Sequence, residues 1–116
     1  IITMFGFFAP DVPQISADEV KQALDKKQDV FILDVRTPGE FDSARIKGAI
    51  NVPVDQIEDK ILSVIPDKKK KIYVYCLSAS RSVSAVDRMI KLGYSVVYNL
   101  TSGLLAWRAK QYPLET

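Results

Sequence analysis

"KIYVYCLSASRSVSAVDRMIKLG", residues 71–93, carries a strand, a loop and a helix in sequence order. "KIYVYC" (71–76) is a continuous apolar run that ends on a cysteine, the pattern of a strand buried on both faces. "RSVSAVDRMIKLG" (81–93) then places Val83, Val86 and Ile90 on one helical face, with Gly93 set to cap its C-terminus. A loop of small residues joins the two. A buried strand feeding an amphipathic helix is half of a parallel βαβ unit, so this stretch predicts a parallel sheet covered by helices.

The rest of the chain repeats the alternation. "QISADEVKQALDKK" opens a helix, with Ser16 and Glu19 at capping-box spacing and Val20, Ala23 and Leu24 as its apolar stripe. A short strand is expected just before it, around Val12 to Ile15. "DVFILDV" (29–35) is another all-apolar strand, and Pro38 and Gly39 in "RTPGEF" break it. "GAINVP" (48–53) reads as a short strand ended by Pro53. "VDQIEDKILSVI" puts Val54, Ile57, Ile61 and Ile65 on one helical face before Pro66 stops it. "YSVVYNL" is a further strand and "SGLLAWRAKQY" a final helix. The class is α/β, with one domain over residues 12–116. In open parallel sheets ligands bind beyond the C-terminal ends of the strands. The loops after Val35, Val52, Tyr75 and Leu100 are therefore the functional candidates, and Cys76 lies in one of them.

Composition narrows the chemistry. At 116 residues, 47% apolar and 26% charged, the chain can bury an adequate core without disulfides or metals. Cys76 is the only cysteine and there is no histidine. That excludes an intramolecular disulfide, a Cys/His zinc site and any Ser-His-Asp or Cys-His mechanism within the chain. Net charge is only +2. The run Lys68-Lys69-Lys70-Lys71 reads as a solvated lead-in to a strand. Without interleaved aromatics it is poor support for nucleic-acid binding. The uncharged start "IITMFGFFA" is too short to span a bilayer. Residues 1–11 read equally as an arm that packs on the domain or as the remnant of an upstream segment. The compartment is accordingly read as cytoplasmic, with an extracytoplasmic or membrane-tethered placement through a segment upstream of Ile1 as the alternative.

The loop "YCLSASRS" (75–82) concentrates the chemistry. A lone cysteine reads as readily as an inert buried thiol as it does as a nucleophile. Its context favours the second. A short loop of small residues between a strand and a helix can aim its backbone N–H groups at one spot, and the helix dipole reinforces that anion cradle. A cysteine at its rim would have its thiolate stabilised without a histidine. Arg81, near a helix N-terminus, is unfavourably placed for a cation unless an anion compensates. That anion would be a bound ligand, the thiolate, or a structural carboxylate such as Asp34 or Glu40. Ser78, Ser80 and Ser82 would donate to the sulfur or to an incoming anion, or simply cap the helix and tighten the turn.

Four segments in order, "ILDVRTPGEF" (32–41), "ARIKGAINVP" (44–53), "YCLSASRS" (75–82) and "NLTSGLLAW" (99–107), resemble the rhodanese-like sulfurtransferase domain. The resemblance implies a five-stranded parallel sheet flanked by helices on both faces, and no metal or organic cofactor. It implies ping-pong sulfur transfer, in which Cys76 takes the outer sulfur of thiosulfate or a persulfide and passes it to a thiol, a protein thiol or cyanide. Leu77, Ser78, Ala79, Ser80, Arg81 and Ser82 would cradle the extra sulfur. Asp34 and Arg36 match the family's Asp-Val-Arg motif and would order the loops as structural support. Trp107 would be core. Related phosphatases carry a loop one residue longer; Cys76 to Arg81 spans six residues, the sulfurtransferase length, which disfavours a phosphatase or arsenate reductase. The remaining alternative is a non-catalytic module that binds a partner or senses sulfur.

Four positions depart from the family pattern. Ala79 stands where glycine is frequent, and if that site needs φ > 0 it costs on the order of 1 kcal/mol. Arg45 stands where histidine is common, and Ser102 replaces the first of two glycines; both look tolerable. Leu77 makes the rim apolar where the family is often charged. Together they suggest a bulky thiol or protein persulfide as natural donor or acceptor, with thiosulfate a modest substrate.

Overall fold

The computed structural model describes residues 10–116. The N-terminal arm expected over residues 1–11 lies, except for Pro10 and Asp11, outside the described residues. Five strands and five α-helices follow in the order β1 (Gln14–Ile15), α1 (Ala17–Asp25), β2 (Phe31–Asp34), α2 (Pro38–Ser43), β3 (Ile50–Asn51), α3 (Ile57–Val64), β4 (Ile72–Tyr75), α4 (Ser80–Lys91), β5 (Val97–Leu100) and α5 (Gly103–Ala109). The strands form one sheet in the order β1-β5-β4-β2-β3, and every neighbouring pair is parallel.

Side-chain alternation divides the core. Leu33, Val35, Ile72, Val74 and Cys76 face the side covered by α3 and α4, through Ile57, Ile61, Ala85, Val86 and Met89. Ile32, Tyr73 and Tyr75 face the other side, covered by α1 and α5 through Val20, Ala23, Leu104 and Trp107. Both faces of β2 and β4 are therefore dry, which is why their sequences read as unbroken apolar runs. Trp107 is buried and donates its indole N–H to the Pro113 carbonyl at 2.9 Å, a core residue as expected.

The strand order also fixes the site. After β2 the chain goes outward to the edge strand β3; after β4 it goes the opposite way, to β5. Adjacent parallel strands whose connections diverge leave a crevice at their C-terminal ends. Asp34 closes β2 and Cys76 follows β4 directly at that crevice.

Three expectations need correction. Pro38 and Gly39 do end the strand, but they also begin α2. Thr37 caps it, with the Glu40 side chain closing a capping box and Pro38 in the first turn, where a missing N–H costs nothing. The single helix expected from Val54 is a 3-10 turn, Val54–Gln56, followed by α3. In α4 the buried face is Ser82, Ala85, Val86 and Met89, while Ile90 is exposed. That face has i, i+3, i+4, i+7 spacing, but it begins on a serine and an alanine, which a search for large apolar residues passes over.

Candidate active site

Cys76 Sγ sits at the floor of the crevice, 1% exposed. The loop Leu77–Ala79 leads straight into α4, whose first turn holds Ser80, Arg81 and Ser82. Ser82 contacts the sulfur twice. Its backbone N–H donates to Sγ at 3.4 Å, and its Oγ accepts the thiol proton at 3.3 Å. Among the described residues, none of the backbone N–H groups of Leu77, Ser78, Ala79, Ser80 or Arg81 donates to a protein acceptor. Consecutive unpaired amides at the start of a twelve-residue helix leave donors that an anion could accept from.

Two carbonyls, those of Cys76 and Leu77, are taken by α5. Leu104 N–H donates to the Cys76 carbonyl at 2.9 Å and Leu105 N–H to that of Leu77 at 3.1 Å. Two helix N-termini thus flank the loop: α5 takes the oxygens of Cys76 and Leu77, and the amides leading into α4 keep no protein acceptor. Gly103 makes the close approach of α5 feasible. A β-carbon there would lie 2.4 Å from the Cys76 carbonyl oxygen and 2.6 Å from that of Ser78.

The strain falls elsewhere than the sequence suggests. Ala79 has φ −153°, outside the left-handed region, so alanine there carries no such cost. Ser102 has φ +59° and does occupy that region. The departure at Ser102 is the one a serine accommodates against its preference, by on the order of 1 kcal/mol.

The charged residues form two separate pairs. Asp34 and Arg36, 0% and 4% exposed, pair through Nη2 to Oδ2 at 2.7 Å, and Arg36 Nη2 also donates to the Ala44 carbonyl at 2.6 Å. Arg81 grips Glu40 with both terminal nitrogens, at 2.6 and 3.1 Å. Of the two carboxylates open to Arg81 from sequence, Glu40 is the partner. It compensates the cation at the α4 N-terminus while capping α2. Arg45 instead donates to the Phe41 carbonyl and joins Glu115, away from the sulfur. In the lysine run, Lys70 pairs with Asp29 at 2.8 Å. A cavity of about 300 Å³ lies on the other face of the sheet, between Leu24, Ile46 and Trp107, and includes none of the predicted site residues.

The Arg81 hydrogen bonds, and then those from Thr37, hold the Glu40 carboxyl at about 2, against 4.5 ordinarily, despite partial burial. A depressed folded pKa stabilises fully above pH 4.5, and that contribution fades as pH falls toward 2. Glu40→Gln keeps the capping box but loses the ion pair. The pair is about one-third exposed and screened, so the expected loss at pH 7 is about 1 kcal/mol. Thermal midpoints of wild type and variant should differ at pH 7 and converge as the pH approaches 2. Parallel curves would show that the pair contributes no charge-dependent stability.

Asn99, Gln14 and Gly103 adjoin the Cys76 loop, directly or through Ser82, and the sequence reading does not name them as site residues. Asn99 is buried and bonds Ser82, and Gln14 bonds Asn99. Only the position of Asn99 within a strand beside β4 could have signalled it.

Fold and site together define a parallel α/β domain that presents one cysteine beside a run of unpaired loop amides at the sheet's switch point. The chain belongs to the rhodanese-like domain family, which matches residues 16–110. It is 33% identical over 103 residues to a sulfurtransferase of Allochromatium vinosum, covering 89% of this chain and 94% of that one. It is 32% identical to Bacillus subtilis YrkF over 88% of its own length but only 54% of the relative's, so it spans about half of that protein. Among solved structures, the rhodanese-like domain of the Anabaena Alr3790 protein superposes with a TM-score of 0.81 at 32% identity, over 89% of this chain and 78% of that one. A thiosulfate sulfurtransferase of Pseudomonas aeruginosa gives 0.83 at 28% identity, over 90% of this chain and 20% of that one.

Proposed function

We propose that this domain transfers sulfane sulfur through a persulfide on Cys76. The supporting observation is the position of Sγ: at the end of β4, against the Ser82 N–H and at the head of a loop whose amides are unpaired. In the first half-reaction the Cys76 thiolate attacks the outer sulfur of the donor. The donor's S–S bond breaks, and its electron pair leaves with sulfite or a thiolate. The charge then rests on the outer sulfur of Cys76, and the unpaired loop amides are its donors. In the second half-reaction an acceptor thiolate or cyanide takes that sulfur as its own new bond, and the Cys76 thiolate returns. Leu77 and Leu105, both exposed, border the loop and are linked by a backbone hydrogen bond. Their apolar rim favours a donor or acceptor with bulk, a thiol or protein persulfide above thiosulfate.

The test is intact mass after incubation with thiosulfate and, separately, with a low-molecular-weight persulfide. The expected result is a gain of one sulfur, larger in yield with the persulfide and absent in Cys76→Ser. No adduct with either donor would overturn the proposal. Cys76-dependent turnover of an aryl phosphate would favour phosphoryl transfer in its place.

A further inference from the structure

The hydroxyl of Ser82 has one proton and three neighbours able to accept it: Asn99 Oδ1 at 2.5 Å, the Ala79 carbonyl at 3.1 Å and Cys76 Sγ at 3.3 Å. The shortest contact takes it. Asn99 is 1% exposed, and its amide orientation is fixed from the far side. Asn99 Nδ2 donates to Gln14 Oε1 at 2.9 Å, and that oxygen also accepts from Thr101 Oγ1 at 2.8 Å. Gln14 therefore claims the NH₂ group, and the carbonyl end of Asn99 faces Ser82. With its proton on Asn99, Ser82 offers a lone pair to the sulfur and accepts from the thiol.

We infer that Asn99 is a positioning residue for Cys76: by holding the Ser82 proton, it favours the thiol and the sulfur-loaded cysteine over the free thiolate. A thiolate draws the Ser82 proton to Sγ, which strands Asn99 Oδ1 in a dry site without a donor. In a persulfide the charge lies on the outer sulfur and Sγ is a neutral bridging atom. Ser82 then keeps its bond to Asn99, and the network loses only the S–H donation to Ser82 Oγ. The persulfide half of this inference rests on the function proposed above; the thiol half does not.

The charged groups around the sulfur are Arg81 on α4, paired with Glu40 from α2, and the Asp34–Arg36 pair at the end of β2. Asn99 and Ser82 are neutral, so replacing them leaves those charges in place. The experiment follows the rate of Cys76 alkylation by iodoacetamide against pH, by intact mass, in wild type, Asn99→Ala, Ser82→Ala and the double variant. Asn99→Ala should move the midpoint down by about one pH unit, on the order of tenfold in thiolate population. In the Ser82→Ala background the same substitution should move it by nothing measurable. No shift in the first pair, or an equal shift in both, would overturn the inference. Gln14 is exposed, so Gln14→Met, with and without the Ser82 hydroxyl, provides a second cycle if Asn99→Ala does not fold. The same downward shift is expected there only when Ser82 is present, and its absence would overturn the inference. Alkylation needs no sulfur donor. A failed cycle thus leaves the persulfide reading standing, and a failure to take up sulfur leaves the role of Asn99 with the thiol standing.

Discussion

Gly103→Ala is expected to lower the thermal midpoint by about 15 °C and to slow sulfur uptake at Cys76 on the order of 100-fold. The added β-carbon would meet three backbone carbonyls, those of Cys76 at 2.4 Å, Ser78 at 2.6 Å and Leu77 at 2.8 Å. Backbone oxygens cannot swing aside as a side-chain tip does, so α5 or the loop must move. Overpacking of this kind costs about 1–3 kcal/mol. A φ of +51° adds on the order of 1 kcal/mol for any residue with a β-carbon. The two together give about 3 kcal/mol and the shift in midpoint above.

The kinetic loss has a separate origin. The contacts at stake include the Leu104 and Leu105 N–H bonds that hold the loop's carbonyls outward. If these lengthen, the peptide planes rotate and the opposing amides leave the crevice. Displacement of about 1 Å near a reacting atom is worth on the order of 100-fold. Gly48→Ala is the matched control. It has φ +81°, but its β-carbon would meet nothing within 4 Å. It should cost about 1 kcal/mol of stability and leave sulfur uptake unchanged. Equal kinetic losses in the two variants would show that Gly103 acts through stability alone. The check is a thermal melt of each variant, followed by a time course of mass gain at a temperature where both are folded.

Gly103 also shows what a sequence can carry. The order of strands and helices is written in apolar runs and caps, because each depends on residues within one turn or one strand. Cys76 and the loop to Ser82 are legible for the same reason: strand, loop and helix are contiguous. The close approach of Gly103 to residues 76–78 joins backbones 25 or more positions apart, and no local pattern encodes it. Asn99 has the same obscurity. In a strand it reads as one polar residue in an apolar run, and only the pairing of β5 with β4 and β1 sets it between Ser82 and Gln14. The Thr37-Pro38-Gly39-Glu40 turn is a different kind of miss. Its capping-box spacing is present in the sequence, but proline and glycine together weigh toward a break.

Asp34→Asn is expected to cost about 3–5 kcal/mol, the usual result of removing one partner from a buried ion pair. Asp34 is fully buried and accepts from the Arg36 backbone N–H at 2.8 Å as well as from its guanidinium. Burial works to discharge Arg36, but the bonds and charge of Asp34 outweigh it and keep its pKa above the ordinary value. Asparagine replaces one carboxylate oxygen with an NH₂ group. The guanidinium then faces a donor and keeps only the Ala44 carbonyl and one amide oxygen, with its charge uncompensated. Against a total of about 5–15 kcal/mol for a domain, that loss leaves a marginal fold. Adding Arg36→Met removes the stranded charge, so the double variant should be more stable than Asp34→Asn alone, as measured by urea midpoints. A double variant less stable than the single would show that the guanidinium contributes through packing more than through its partner. The pair also reaches the active-site loop at one remove. Arg36 holds the C-terminal end of α2 through Ala44, α2 carries Glu40, and Glu40 holds Arg81 at the start of α4. Loosening Asp34 should therefore slow sulfur uptake severalfold even at temperatures where the variant is folded, and the double variant, which lacks the Arg36 tether, should regain stability without regaining that rate.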